Sequence, residues 1–260
     1  MNRRTRLIAL AALAATSGSS PFWGPPALRR VDWFAADRVE VAGSRLLAPH
    51  EVVAASGVRI GDNVYTDPAA WEAALRRNPV IAEARVERRF PATLRIRITE
   101  KRPAAFVSAG TLRPATATGE ILPVDPARVP VDLPIAGSAP DTATRVRDRA
   151  TLAVLAEAAR LADADPMLMA RVSEVRSGKA GTRLFMSAPR VEVLLARGAA
   201  EPRLTQLRAA LADVDRRLGA GGRAVVDARF ADQVVVRLIA APAAPSTSST
   251  PAPAPAPPRT

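Results

Sequence analysis

Two short runs of strict alternation, separated by a turn that contains a proline, constrain this chain more than any other feature. Ala82, Ala84 and Val86 alternate with Glu83, Arg85 and Glu87; further on, Leu94, Ile96 and Ile98 alternate with Arg95, Arg97 and Thr99. A period of two sends successive side chains to opposite faces, so each run has one buried and one wet face. Arg88-Arg89-Phe90-Pro91-Ala92 connects them, and Pro91, which has no N–H to give a ladder, should end the first strand. The stretch Asn78 to Val107 therefore reads as an antiparallel hairpin. On pattern alone it would fit any amphipathic hairpin.

The residues before it extend the unit. Val39 and Val41 alternate within Asp37 to Gly43, a first short strand closed by Gly43. Pro49 to Ser56 reads as a short helix with Val52 and Val53 facing in and Gly57 as its stop. Ala48 at its cap position offers no side-chain acceptor, so this start should be weak. Gly57, Gly61, Asn63, Val64 and Tyr65 lie in a loop with turn chemistry. Asp67-Pro68 starts a second helix, with Trp71, Ala74 and Leu75 on one face, and Asn78-Pro79 ends it. The order from Val39 to Val107 is strand, helix, helix, strand, strand.

Beyond Ser108 the chain is rich in Pro and Gly up to Pro140, with short runs at Gly119 to Pro123 and Asp132 to Ile135. Ala143 to Asp163 reads as a helix with Thr151, Val154, Leu155, Ala158 and Leu161 on one face. Val172 to Arg176 is a candidate strand, and Thr182 to Met186 with Val191 to Leu195 a hairpin around Ala188-Pro189. Glu201 to Leu218 is the clearest helix. Its Leu204, Leu207, Leu211, Val214 and Leu218 form a narrow apolar stripe, and Gly219 follows as a stop. A strand at Ala224 to Asp227, then Arg229-Phe230, then Val234-Val235-Val236 complete the folded part. Residues 241–260 are almost wholly Pro, Ala, Ser and Thr, a composition that cannot build a core and favours a disordered, polyproline-like tail. The fold class is α+β.

Residues 1–6 are short and basic, and Leu7 to Leu28 has the length of a spanning helix, roughly 20 residues, although Thr16 to Ser20 and Pro21, Pro25 and Pro26 weaken its second half. One reading is a signal anchor with a cytoplasmic N-terminus, since Arg3, Arg4 and Arg6 outnumber Arg29 and Arg30. The other is a cleaved signal peptide. In either, the rest of the chain is exported.

Composition excludes more than it assigns. There is no Cys and one His, His50, so disulfides, thiolate chemistry and paired-histidine metal sites are out. No Gly-rich phosphate loop or nucleophile elbow occurs. Asp163 and Asp165 stand before Pro166, where a turn role suffices, and Asp213 and Asp215 cannot share a helix face. The chain does not read as an enzyme, and no cofactor, metal or small-molecule substrate is expected. Its formal charge is +12, but of 37 basic residues only Lys101 and Lys179 are lysine, and the arginines fall mostly on outward strand positions or polar helix faces. Few aromatics and an export signal argue against nucleic acid; an anionic membrane surface would suit the charge.

The wording of the hairpin is more specific than its pattern. Asn78-Pro79, Arg88-Arg89-Phe90-Pro91-Ala92-Thr93-Leu94 and Glu100-Lys101-Arg102-Pro103-Ala104-Ala105, with Val39-Glu40-Val41-Ala42-Gly43 and the Gly57, Gly61, Asn63 loop, closely resemble the POTRA domain of the bacterial cell-division family FtsQ, called DivIB in some lineages. Tyr65 stands where the family often has Phe, and Ala48 where it usually has Ser or Thr. Asp227, Ala228, Arg229 and Phe230 followed by a last strand resemble the end of the family's β domain, with Ala228 in place of a more usual Leu. The resemblance implies a cytoplasmic N-terminus at 1–6, an anchor at 7–28, a linker at 29–38, a POTRA domain at 39–107, a mixed β domain with two helices at 108–240 and a tail at 241–260. It implies a non-catalytic division scaffold at the septum of the inner membrane, linking early and late division proteins. The family's β domain binds a segment of a small single-pass coiled-coil protein, FtsB or DivIC, together with FtsL, by strand addition. Carried over, the contacts would be Asp227, Arg229, Phe230, Gln233, Val234, Val235, Val236 and Arg237, with Phe230 as anchor. Read from the residues alone, Phe230 better suits an internal plug and Val234 to Val236 an ordinary core strand. Two other uses stay open: a periplasmic polypeptide-binding or chaperone POTRA protein, although the residues after Val107, with their two helices, do not read as the long barrel such proteins carry, and a secreted structural domain.

Overall fold

The computed structural model describes residues 34–128, 132–218 and 222–239. The expectations for the N-terminal segment, the Gly219 stop and the tail lie outside them. The chain divides into two compact units, Met1–Arg160 and Leu161–Thr260.

The first unit begins with β1 (Arg38–Ala42), α1 (Pro49–Ser56), α2 (Ala69–Arg76), β2 (Ile81–Arg89) and β3 (Thr93–Glu100), the order expected. The three strands form a sheet in the order β1-β3-β2, with β1 parallel and β2 antiparallel to β3. The core is Val52, Val64, Leu75, Ile81, Val86, Leu94, Ile96 and Ile98, against which Tyr65 and Trp71 pack partly buried. β2 ends at Arg89, before Pro91, as the missing N–H requires. One alternation fails. The register shifts between Ile81 and Glu83, so Ile81 turns inward and Ala82 is exposed. An extra residue in one strand inverts every side chain beyond it, and Ile81 buries more apolar area than Ala82 would.

The weak start expected for α1 is offset from two sides. Glu51 accepts the Ala48 N–H at 2.9 Å. The Glu100 carboxylate at the end of β3 accepts the N–H groups of Arg45, Leu46 and Leu47 at 2.9, 2.8 and 2.9 Å. A carboxylate cradled by consecutive amides fixes the loop that leads into the helix. For α2, the Asp67 carboxylate accepts the Ala69 N–H at 3.0 Å, in line with the cap expected there.

β4 (Pro103–Ala109), β5 (Thr111–Thr116) and β6 (Ile135–Ser138) follow, side by side in the order β6-β4-β5. β4 and β5 are a hairpin that alternation did not reveal. Ala104 to Val107 are all buried, so the polar half of the period is missing, and Pro114 sits inside β5. Pro114 is tolerated because β5 closes its end of the sheet, where a missing N–H breaks no ladder bond. α3 (Arg149–Ala164) starts six residues later than expected. Its start is set by Asp148, whose carboxylate accepts from the Thr151 N–H at 2.7 Å and the Thr151 hydroxyl at 2.8 Å.

In the second unit a one-turn helix, α4 (Pro166–Met169), is added to the two helices expected; Asp165 caps it through the Leu168 N–H at 2.9 Å. β7 (Val172–Gly178), β8 (Gly181–Met186) and β9 (Arg190–Leu195) form an antiparallel meander. α5 (Glu201–Arg217) then crosses back, so that β10 (Arg223–Ala228) runs parallel to β9, and β11 (Val235–Ile239) runs antiparallel to β10. The strand order is β11-β10-β9-β8-β7. Leu204, Leu207, Leu211 and Val214 of α5 are buried, as their spacing predicts.

Candidate functional site

β11 is the outermost strand of its sheet. It pairs with β10 from Val235↔Asp227 to Ile239↔Arg223, and among the described residues no strand lies on its other side. Such an edge presents unpaired N–H and C=O groups in a row. The strand is open on its side chains too: Val235, Leu238 and Ile239 are exposed, and Phe230, on the connection that leads into it, is 45% exposed. Phe230 is thus no internal plug. The contrast with β10 is sharp, for Ala224, Val226 and Ala228 are fully buried.

The connection from β10 to β11 is held in two places. The Arg229 guanidinium grips the Asp227 carboxylate with two bonds, Nε to Oδ1 at 2.9 Å and Nη2 to Oδ2 at 2.6 Å, and the Arg229 N–H adds a third at 3.1 Å. Hydrogen bonding from Arg229, opposed by partial burial, holds the Asp227 carboxyl below its ordinary range, and the same bond strengthens the hold of Arg229 on its proton. From α5, Arg203 donates to the Ala231 carbonyl and, at 3.4 Å, to the Gln233 carbonyl. Arg203 was not among the residues expected here. Long-range bonds from a side chain to a carbonyl leave no trace in spacing.

The structure brings Asp227, Arg229, Phe230 and Val234 to Arg237 together along one edge. It corrects the bounds of the strand: Gln233 and Val234 lie in the connection, and β11 starts at Val235 and continues past Arg237 through Leu238 and Ile239. Register sets Phe185, Glu192, Val225 and Arg237 in one row across β8 to β11, on the sheet face turned away from the buried set of β10. On that face Arg176 and Arg183 stand 5.0 and 5.5 Å from the Phe185 ring centre, and Arg183 is paired with Glu192. Among the described residues there is no cluster of His, Cys, Asp and Glu fit to hold a metal ion, and no helix long and apolar enough to cross a membrane.

The β-α-α-β-β unit, followed by a mixed β-rich region, defines a protein built on a POTRA domain, and residues 34–101 match the family model described as POTRA domain, FtsQ-type. The chain is 38% identical over 118 residues to the cell division protein FtsQ of Anaeromyxobacter sp. (strain K), a match covering 44% of this chain and 38% of that one. It is 30% identical over 133 residues to FtsQ of Syntrophotalea carbinolica, covering 51% and 47%. These two matches thus span less than half the length of either relative. With FtsQ of Myxococcus fulvus the identity is 32% over 235 residues, covering 83% of this chain and 78% of the relative. The chain belongs to the FtsQ family of cell division proteins.

Proposed function

We propose that this protein is a non-catalytic scaffold of the bacterial division machinery that captures its partner by adding a strand to the free edge of β11. One observation carries the reading: among the described residues no strand pairs with the outer side of β11, which bears exposed apolar side chains, an arrangement that invites a partner or aggregates without one. Main-chain bonds to β11 supply affinity, and Phe230 seats in the partner as an anchor, flanked by the Asp227–Arg229 pair. The partner is a segment of a small single-pass coiled-coil division protein of the FtsB or DivIC kind, held with its FtsL-like companion. Both the family resemblance and an edge that needs an extended segment support this. The N-terminal segment anchors the chain in the inner membrane with its N-terminus in the cytoplasm, and both units lie outside at the septum, linking early to late division proteins.

The test is co-purification of the full-length chain with its FtsB-like partner, comparing wild type with Phe230→Glu. The charge is expected to abolish capture while the thermal midpoint stays within the error of wild type, because Phe230 is already half in water. Unchanged capture would refute the edge as the binding site.

A further inference from the structure

Two loops clamp the segment by which the described chain enters the first unit. On one side, Ala36 donates to Asp62 and Gly61 to Ala36, both at 2.8 Å, and Val64 donates to Phe34 at 2.9 Å. On the other, Asp37 donates to Ala92 in the β2–β3 turn at 2.8 Å. An aromatic row links the two. Phe34 meets Tyr65 edge-on at 5.0 Å, and Tyr65 lies against Phe90 at 5.8 Å. The row ends in water. Phe90 from the turn and Ile60 from the loop are each 65% exposed. Arg38, Arg59, Arg88 and Arg89 are exposed around them, with the Arg88 guanidinium 5.7 Å from the Tyr65 ring centre. The acids here are Asp37, which is exposed, and Asp62, whose carboxylate accepts the Arg59 N–H at 2.8 Å.

We propose that this end of the unit rests on an anionic lipid surface, with Phe90 and Ile60 entering the headgroup boundary and the four arginines on the lipid phosphates. The inference rests on the reading of residues 7–28 as a retained membrane anchor. Exposed large apolar side chains ringed by guanidinium groups match the layering of an anionic bilayer, apolar below and charged at the surface. Arginine stems can lie along apolar surface while their heads stay at the phosphates. Reach supports the placement. From Leu28 to Phe34 the chain can extend at most about 22 Å, so an anchored chain holds this end beside the membrane. No role in the β11 edge accounts for an unprotected Phe at a hairpin tip in the other unit.

The chain has no cysteine, so single sites can be labelled in the full-length protein. Phe90→Cys and Ile60→Cys, with Thr99→Cys at the far end of β3 as control, would carry a nitroxide. The labelled chains are reconstituted in vesicles of phosphatidylcholine with phosphatidylglycerol, and of phosphatidylcholine alone. Collision with oxygen relative to a water-soluble nickel chelate is expected to rise severalfold at 60 and 90 over the value at 99 when phosphatidylglycerol is present. It should fall back without it, and also in an Arg88→Gln, Arg89→Gln background. Labels at 60 and 90 as open to nickel as the label at 99, on vesicles that carry the protein through flotation, would overturn the lipid contact alone. Equal protection in both vesicle types would overturn the anionic assignment. A chain that does not float with the vesicles overturns the anchor reading and this inference together.

Discussion

Single residues set the backbone at two points that matter for the fold and the edge. Gly43, which closes β1, has φ +90°, and a Cβ there would stand 2.0 Å from the Ile98 carbonyl oxygen. Neither the conformation nor the space admits a side chain, so Gly43→Ala should destabilise the first unit by about 2–3 kcal/mol, read as a lower urea midpoint. At the edge, Asp227 is held ionised by Arg229. A carboxyl whose folded pKa lies below its unfolded value, about 3.9, stabilises fully above that value and loses the contribution as pH falls through the folded pKa. The stability difference between wild type and Asp227→Asn should therefore be constant near neutrality and shrink below about pH 4, measured as denaturation midpoints over an acid series. A difference that grows on acidification would contradict the pair as drawn.

At the scale of elements, what the sequence disclosed depended on how much of each signal was local. β2 and β3 were legible because each has one wet face; the slip at Ala82 came from a bulge, which no period of two can carry. The hairpin β4–β5 was hidden by burial on both faces of β4. The late start of α3 was marked by Asp148, but Thr144 to Arg147 keep a pattern that a helix could also use. For the edge, the strand Val235–Ile239 was legible in its valines, while its end was set by pairing with β10 and its connection by Arg203, neither of which spacing records. Glu100 is the same kind of case. Its three amide bonds hold the entry to α1, a helix whose cap residue, Ala48, has no side-chain acceptor. Glu100→Gln should cost about 2 kcal/mol, since hydrogen bonds to a charged group outweigh neutral ones. Amide exchange should quicken first at residues 45 to 56, ahead of the sheet; uniform quickening would mean that the carboxylate acts elsewhere.

For the whole molecule, the arrangement separates two demands. The helix α5, with its buried stripe, packs on β10, so the edge beyond it can be left open without loss of the fold. Truncating that stripe, as in Leu207→Ala, should cost about 2–5 kcal/mol and abolish partner capture only through unfolding, whereas Phe230→Glu should abolish capture with the fold intact. The two substitutions make the division role testable in cells. Depletion of the protein in its host is expected to give long, unseptated cells, and wild-type chain supplied in trans should restore normal length. Phe230→Glu, accumulating to wild-type level, should leave the cells long, while Leu207→Ala should rescue in proportion to the amount of folded protein. Full rescue by Phe230→Glu would place the essential contact away from β11. Normal cell length on depletion would remove this chain from the essential path of division even though its family membership stands.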